Sequence, residues 1–215
     1  MNLQGGEVYR SVKGLILISS MKNPASRFSL YQDEELMQFV CTGEEQAFDE
    51  LYQRYGKRLF VYFFRMLGYN RSLAEDAVQD LFLKIAERPE LFDRSRSFKT
   101  WVFCVASNAC KNMYRHNMVR QSHAPAVAMQ IAVPEDGFAL AAGRLDHAEF
   151  VRTLHETLAE LPPEKREVFI LRFQEEKTIA EIAVIQGVAE GSVKSRLHYT
   201  LKFLGARLSV FNPVN

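Results

Sequence analysis

No two cysteines in this chain stand at redox or metal-ligand spacing. The three present, Cys41, Cys104 and Cys110, are odd in number, and none belongs to a CxxC pair. That argues against a disulfide framework and fits a reducing compartment. Each lies within a helical pattern and reads as a small core residue. The five histidines do not join the cysteines at ligand spacing, so neither a metal nor another cofactor is expected. Charge of one sign is also missing. Lysine and arginine total 27 against 26 acids, for a net charge of +1, so any nucleic-acid surface has to come from local clustering. Sustained strand-type alternation, internal repeats and a nucleotide-binding glycine loop are all absent. The apolar run Gly14–Ser19 is too short to span a membrane and weak as a signal-peptide core. We therefore expect a cytoplasmic protein without direct membrane insertion, in which Met21 is a possible alternative start.

What is there is a series of amphipathic, leucine-rich segments, and they predict an all-α fold of two small helical domains joined by a flexible linker. Residues 1–32 form an N-terminal extension without an assignable pattern. The first domain covers 33–117. Asp33 opens a helix through Val40, and Thr42–Glu45 reads as a turn with a capping-box-like start. The next helix, from about Glu45 to Leu67, buries Phe48, Leu51, Tyr52, Tyr55, Leu59, Phe60, Phe63 and Met66. Ser72 is expected to cap a helix from Leu73 to about Glu87, with Ala74, Ala77, Val78, Leu81 and Ile85 inward. A charged connector follows at 88–98. The last helix, Lys99 to His116, turns Trp101, Val102, Val105, Ala106, Ala109 and Met113 inward. Residues 118–144, with Pro125, Pro134 and Gly137, read as the linker. The second domain covers 145–210. Its first helix runs from Glu149 to Leu161, Pro162-Pro163 ends it, and a second runs through Phe173.

The stretch Thr178–Leu208 carries the clearest functional signal. Ile179, Ile182 and Ala183 mark one buried stripe, and Gly187 ends that helix at low cost because it takes positive φ. Glu190, Gly191 and Ser192 open a second helix with Val193, Leu197, Leu201, Leu204 and Leu208 on its apolar face. The free face shows Ser192, Lys194, Ser195, His198, Tyr199 and Lys202, with Arg196 at its edge. Two short helices around a tight turn form a helix-turn-helix, whose second helix sets its N-terminal side chains against base edges in the major groove. Lys194 suits guanine or a phosphate and Ser195 several bases. Arg196 and Lys202 suit phosphates, which position the helix without reading sequence. An ordinary helical hairpin with a solvated basic face has the same pattern.

Two further clusters stand in the first domain. Between Asp93 and Arg120 six cations face a single acid. There Phe92, Arg94, Arg96, Lys99, Asn108, Lys111, Asn112 and Arg115 mix cations, amides and a ring, a composition suited to single-stranded DNA. On the preceding helix, Glu75, Asp76, Gln79, Asp80, Phe82, Leu83 and Lys84 lie off the inner stripe. Phe82 and Leu83 are expected to expose an apolar patch edged by acids, a docking surface for another protein. The alternative is a solvated acidic face.

Two segments together resemble a bacterial sigma factor of the extracytoplasmic-function group. The first, Ala47 to Arg115, contains AEDAVQD and the aromatic pair Phe98 and Trp101, and looks like sigma region two. The second, Leu158 to Leu204, contains LPPEKREVF, EIA and GSVKSRL, and looks like region four. They cover about half the chain, in family order. The resemblance implies that Asp76, Gln79, Asp80 and Leu83 contact the clamp coiled coil of core RNA polymerase, with the polymerase flap a further partner. It makes the connector and following helix the surface that holds the melted −10 element, and assigns the helix after the turn to the duplex −35 element. It further implies an anti-sigma factor as partner, promoter DNA as ligand, no small-molecule substrate and no catalysis. One departure stands out: many relatives are basic where this chain has Tyr199, so base preference does not carry over.

Two rivals remain. A two-domain helix-turn-helix regulator would bind duplex DNA alone; the acidic surface and the basic connector argue against it. An enzyme would need Glu75, Asp76 and Asp80 to converge, but adjacent helical residues diverge by about 100°, and no histidine joins them.

Overall fold

The computed structural model describes residues 27–121 and 144–211, with side chains described for 27–116 and 149–211. Met21 and residues 122–143 of the expected linker lie outside the described residues, while 118–121 and 144 of that linker are helical. The chain divides into two compact units, at 1–124 and 125–215. Eight α-helices and no strand occur among the described residues.

The first unit holds α1 (Asp33–Cys41), α2 (Glu45–Met66), α3 (Arg71–Glu87) and α4 (Phe98–Gln121), with 3-10 turns at Arg27–Leu30 and Pro89–Leu91. Its folded part reaches back to Arg27, further than the pattern indicated. Phe28 is buried, and Arg54 of α2 gathers the segment. The guanidinium donates to the carbonyls of Ser29 and Tyr31, each at 2.9 Å, and pairs with Asp33 at 2.8 Å and Glu50 at 2.9 Å. Removal from water opposes the charge of Arg54, but the hydrogen bonds to Asp33 and Glu50 prevail and hold its pKa up. Burial and a hydrogen bond to Asp33 likewise push the Tyr55 hydroxyl well up.

Two helix starts depart from the expected caps, and α4 runs to Gln121, past the expected His116. Glu44 makes no side-chain cap. The turn before α2 is closed by main chain instead, with Gly43 at φ +88° and Glu44 N–H donating to Phe39 O at 3.0 Å. Asn70, not Ser72, caps α3, its side chain accepting from Leu73 N–H at 3.0 Å. Both Gly68 and Tyr69 take positive φ, so the chain is already turned when it reaches Asn70. An extended Asn at that point supplies the oxygen the first turn requires.

Six of the eight apolar residues expected inside α2 are buried, with Tyr52 and Phe60 at the edge. Tyr62 and Phe64 join them. Phe82 is a correction: it is fully buried, its ring 4.7 Å from that of Tyr52 and 5.8 Å from that of Phe48. Val78, Leu81, Phe82 and Ile85 form one inward stripe at helical spacing. In α4 the buried row is Phe98, Val102, Phe103, Ala106 and Cys110. Trp101, Val105, Ala109 and Met113 stand half-buried beside it.

The second unit holds α5 (Arg144–Glu160), α6 (Pro163–Phe173), α7 (Ile179–Gln186) and α8 (Glu190–Arg207), with a 3-10 turn at Ser209–Phe211. Leu158, Leu161 and Leu204 form the core under α5, with Leu154, Phe169, Phe203 and Leu208 against them. Arg166 satisfies the end of α5, donating to the carbonyls of Leu158 (2.9 Å), Ala159 (2.8 Å) and Leu161 (3.2 Å). Thr178 and Glu181 form a reciprocal capping box on α7, and Gly187 ends it at φ +69°. Ile182, Ala183 and Ile185 are buried. The inner face of α8 is rotated from the expected one. Thr200 is fully buried while Leu201 is 43% exposed; the Thr200 hydroxyl is satisfied by donating to Arg196 O at 2.8 Å, with Lys165 O 3.3 Å away.

Candidate nucleic-acid and polymerase interfaces

Helix α3 carries the acidic candidates on one outward stripe. Asp76 and Asp80 are exposed, and Gln79 and Leu83 are half-buried. The apolar part of the expected patch reduces to Leu83, since Phe82 belongs to the core. Three of the four line two depressions. Asp80 and Leu83 line a groove of about 570 Å³ between α3 and α4, together with Trp101, Val105, Asn108, Asn112 and Met113. Gln79 lines a smaller hollow of about 320 Å³ with Tyr52, Lys57, Phe60 and Glu75. Asp76 stands between them on the stripe.

The strand-holding candidates are positioned by α4 and its connector. Glu34 of α1 starts α4 from a distance, its Oε1 accepting from Phe98 N–H at 2.8 Å. Phe98, Phe92 and Trp101 then lock together, with ring centroids 5.2 to 5.7 Å apart. This places Phe92 in the core, 5% exposed, and corrects its expected role as a stacking surface. Its spacing from Phe98 and Trp101 is readable, but only the return of the connector onto α4 puts the three rings together. Arg94 and Arg96 are exposed, Lys99 is half-buried, and Asn108, Lys111, Asn112 and Arg115 are exposed along α4. Arg96 lies 3.3 Å from Asp93. Hydrogen bonds from the Ser95 hydroxyl (2.7 Å) and Ser95 N–H (3.0 Å), with Arg96 beside them, hold the Asp93 carboxyl below its usual pKa. The connector thus closes into a turn in which Asp93 is engaged by its neighbours. Arg115 Nη2 donates to Asn112 Oδ1, which orients that amide beside the groove.

In the second unit, Ser192, Lys194, Ser195, His198, Tyr199 and Lys202 are exposed on α8. Arg196 departs from its expected place among the phosphate ligands. It is half-buried, and Nη1 donates to Gln186 Oε1 at 2.7 Å. Gln186 in turn donates to Glu167 Oε2 and to Glu164 O, each at 2.9 Å. This relay joins α6, α7 and α8 and braces α8 against the other two. Sequence reading missed Gln186 and Glu167; polar residues on an otherwise apolar inner face were the available signal. The capping box adds rigidity. Burial works against ionised Glu181, but hydrogen bonds from Thr178 N–H and its hydroxyl (2.9 Å each), then from Lys177 Nζ (3.2 Å), bring its pKa to about 2.

Comparison with known proteins matches both units, in order. Residues 51–119 match the family model for Sigma-70 region 2, and residues 152–204 that for Sigma-70, region 4. Among curated relatives, the ECF RNA polymerase sigma factor SigL of Mycobacterium tuberculosis is 32% identical over 77% of this chain and 90% of its own. SigW of Bacillus subtilis, an ECF RNA polymerase sigma factor, is 27% identical over 74% of this chain and 87% of its own. A solved structure of CnrH in complex with the cytosolic domain of CnrY aligns at TM-score 0.61 and 26% identity, over 84% of this chain and 99% of that one. The sigma factor RpoE from Bartonella quintana, solved with the anti-sigma factor NepR, shares the fold at TM-score 0.64 and 20% identity, over 77% of this chain and 98% of that one.

Proposed function

This chain belongs to the extracytoplasmic-function group of RNA polymerase sigma factors, and we propose that its two units divide promoter recognition between them. As a sigma factor it binds core RNA polymerase, directs it to promoters and starts transcription there. The α3 stripe of Asp76, Gln79, Asp80 and Leu83 docks on the polymerase clamp coiled coil. The connector and α4 hold the melted −10 strand through Arg94, Lys99, Asn108, Lys111, Asn112 and Arg115. With Phe92 in the core, contacts to this strand are electrostatic and polar. Helix α8 reads the −35 duplex through Lys194, Ser195 and His198, with Ser192 and Lys202 near the backbone.

The protein works in the cytoplasm as a regulatory subunit without chemistry of its own, and an anti-sigma factor holds it inactive. No helix among the described residues is long and apolar enough to cross a membrane, and no cluster of His, Cys, Asp or Glu able to hold a metal occurs among them. The observation that carries this reading is the pairing, in family order, of a unit with an exposed acidic stripe and a unit with a capped helix-turn-helix. Neither unit needs to bind DNA tightly alone, because tethering through polymerase raises the effective concentration of each. In vitro transcription with core polymerase and a genomic library decides it: discrete start sites appear only when the protein is added. Tight duplex binding by the protein alone, with no discrete transcript, would instead show a stand-alone regulator.

A further inference from the structure

We propose that Lys165, on the first turn of α6, is a further promoter-binding residue that acts as a unit with Tyr199 of the recognition helix. The proposal rests on the reading of α8 as the −35 helix. Tyr199 is 56% exposed, so its ring does little for the core. Lys165 Nζ lies 5.6 Å from the centroid of that ring, within the range of a cation–π contact. Packing holds this pairing in register. Thr200 is fully buried, its hydroxyl donating to Arg196 O at 2.8 Å and lying 3.3 Å from Lys165 O. The first turn of α6 is therefore fixed beside the middle of α8.

The electrostatics of the surface give the pair its role. Arg196, the cation nearest the centre of α8, is turned inward to Gln186. Lys194 and Lys202 are exposed on α8. Lys165 supplies positive charge beside Tyr199 from a different helix. A lysine ammonium is a compact point charge that meets a phosphate without needing a fixed fork. The exposed ring can lie against a thymine methyl or a sugar, while the ammonium it holds reaches the adjoining phosphate. The ring restrains a long flexible side chain before DNA arrives, lowering the entropy lost on binding.

The test uses the full chain with core polymerase, and a −35-containing promoter fragment recovered from the genomic-library transcription. Affinity is measured across a salt series for Lys165→Gln, Lys165→Arg, Tyr199→Leu and Lys165→Gln/Tyr199→Leu, with Lys194→Ala as reference. Loss of one phosphate contact lowers the log–log salt slope by about 0.9. The expected result is a several-fold weaker complex and that smaller slope for Lys165→Gln, with rescue by Lys165→Arg. Tyr199→Leu also weakens binding, and the double variant loses less than the two single losses combined. Unchanged affinity and slope for Lys165→Gln, while Lys194→Ala weakens binding, overturns the proposal and leaves the α8 reading intact. Fully additive losses overturn the pairing. If Lys165→Gln and Lys194→Ala are both silent, the α8 reading fails and takes the proposal with it.

Discussion

Arg196 of α8 donates to Gln186, the last residue of α7, at 2.7 Å, and Gln186 passes the connection to Glu167 of α6 at 2.9 Å. Three helices thus share one polar relay, which braces α8 against the other two. Replacing Gln186 with Leu leaves Arg196 and Glu167 without this partner. Losing a hydrogen bond to a charged group costs about 1.5–3 kcal/mol. Urea unfolding of the full chain is expected to show that loss in the transition of the second unit, and −35 binding should fall with it. Equal stability of Gln186→Leu and the parent would show that the relay does not brace the motif.

A second relationship links α1 to α4. Glu34 Oε1 accepts from Phe98 N–H at 2.8 Å and so caps α4 from another helix. Glu34→Ala should lower stability by about 0.5–2 kcal/mol, the usual cost of losing a cap. Its larger effect is expected on promoter opening, because the connector is anchored at Phe98. Permanganate footprinting of the −10 region should show reduced opening with Glu34→Ala, and recovery on a pre-melted template. Failure to recover on that template would place the defect elsewhere.

The capping box gives a pH dependence with a definite sign. Glu181 has its pKa lowered from 4.5 to about 2. A carboxyl depressed on folding contributes its stability in full above the unfolded value, and loses it as pH falls through the folded one. The second unit should therefore weaken progressively below about pH 4.5 and lose this contribution near pH 2. In Glu181→Gln that part of the dependence disappears. Thermal melts from pH 5 to 2 on both proteins measure it, and parallel curves would exclude Glu181 as the source.

Asp80 is exposed on α3 and lines the groove toward α4. Asp80→Arg should remove binding to core polymerase while changing stability by less than about 0.5 kcal/mol, as is usual for exposed positions. Co-purification with polymerase and a thermal melt check the two halves separately. Retained co-purification would remove Asp80 from the docking surface.

Much of this molecule was legible before any coordinates. The 3.6-residue period in Phe48, Leu51, Tyr55, Leu59 and Phe63 specifies α2 and its buried face. Gly187 marks the turn, because positive φ is costly for other residues. Exposed polar positions on α8 follow from the same period once Val193 and Leu204 are placed inside. The departures share a cause. Phe82, Thr200 and Phe92 sit where a neighbouring element decides between core and surface, and a single helix pattern carries no record of its neighbours.

Local sequence therefore determined the helices, their caps at Thr178 and Gly187, and the two-unit order, since each depends on residues within a turn or two of one another. Tertiary structure decided which side chains remain outside to act. Arg196 is drawn to Gln186, Phe92 is enclosed by Phe98 and Trp101, and Lys165 is brought beside Tyr199. Each pairing joins residues from different elements or across a reversal of the chain, and only packing brings such groups within reach.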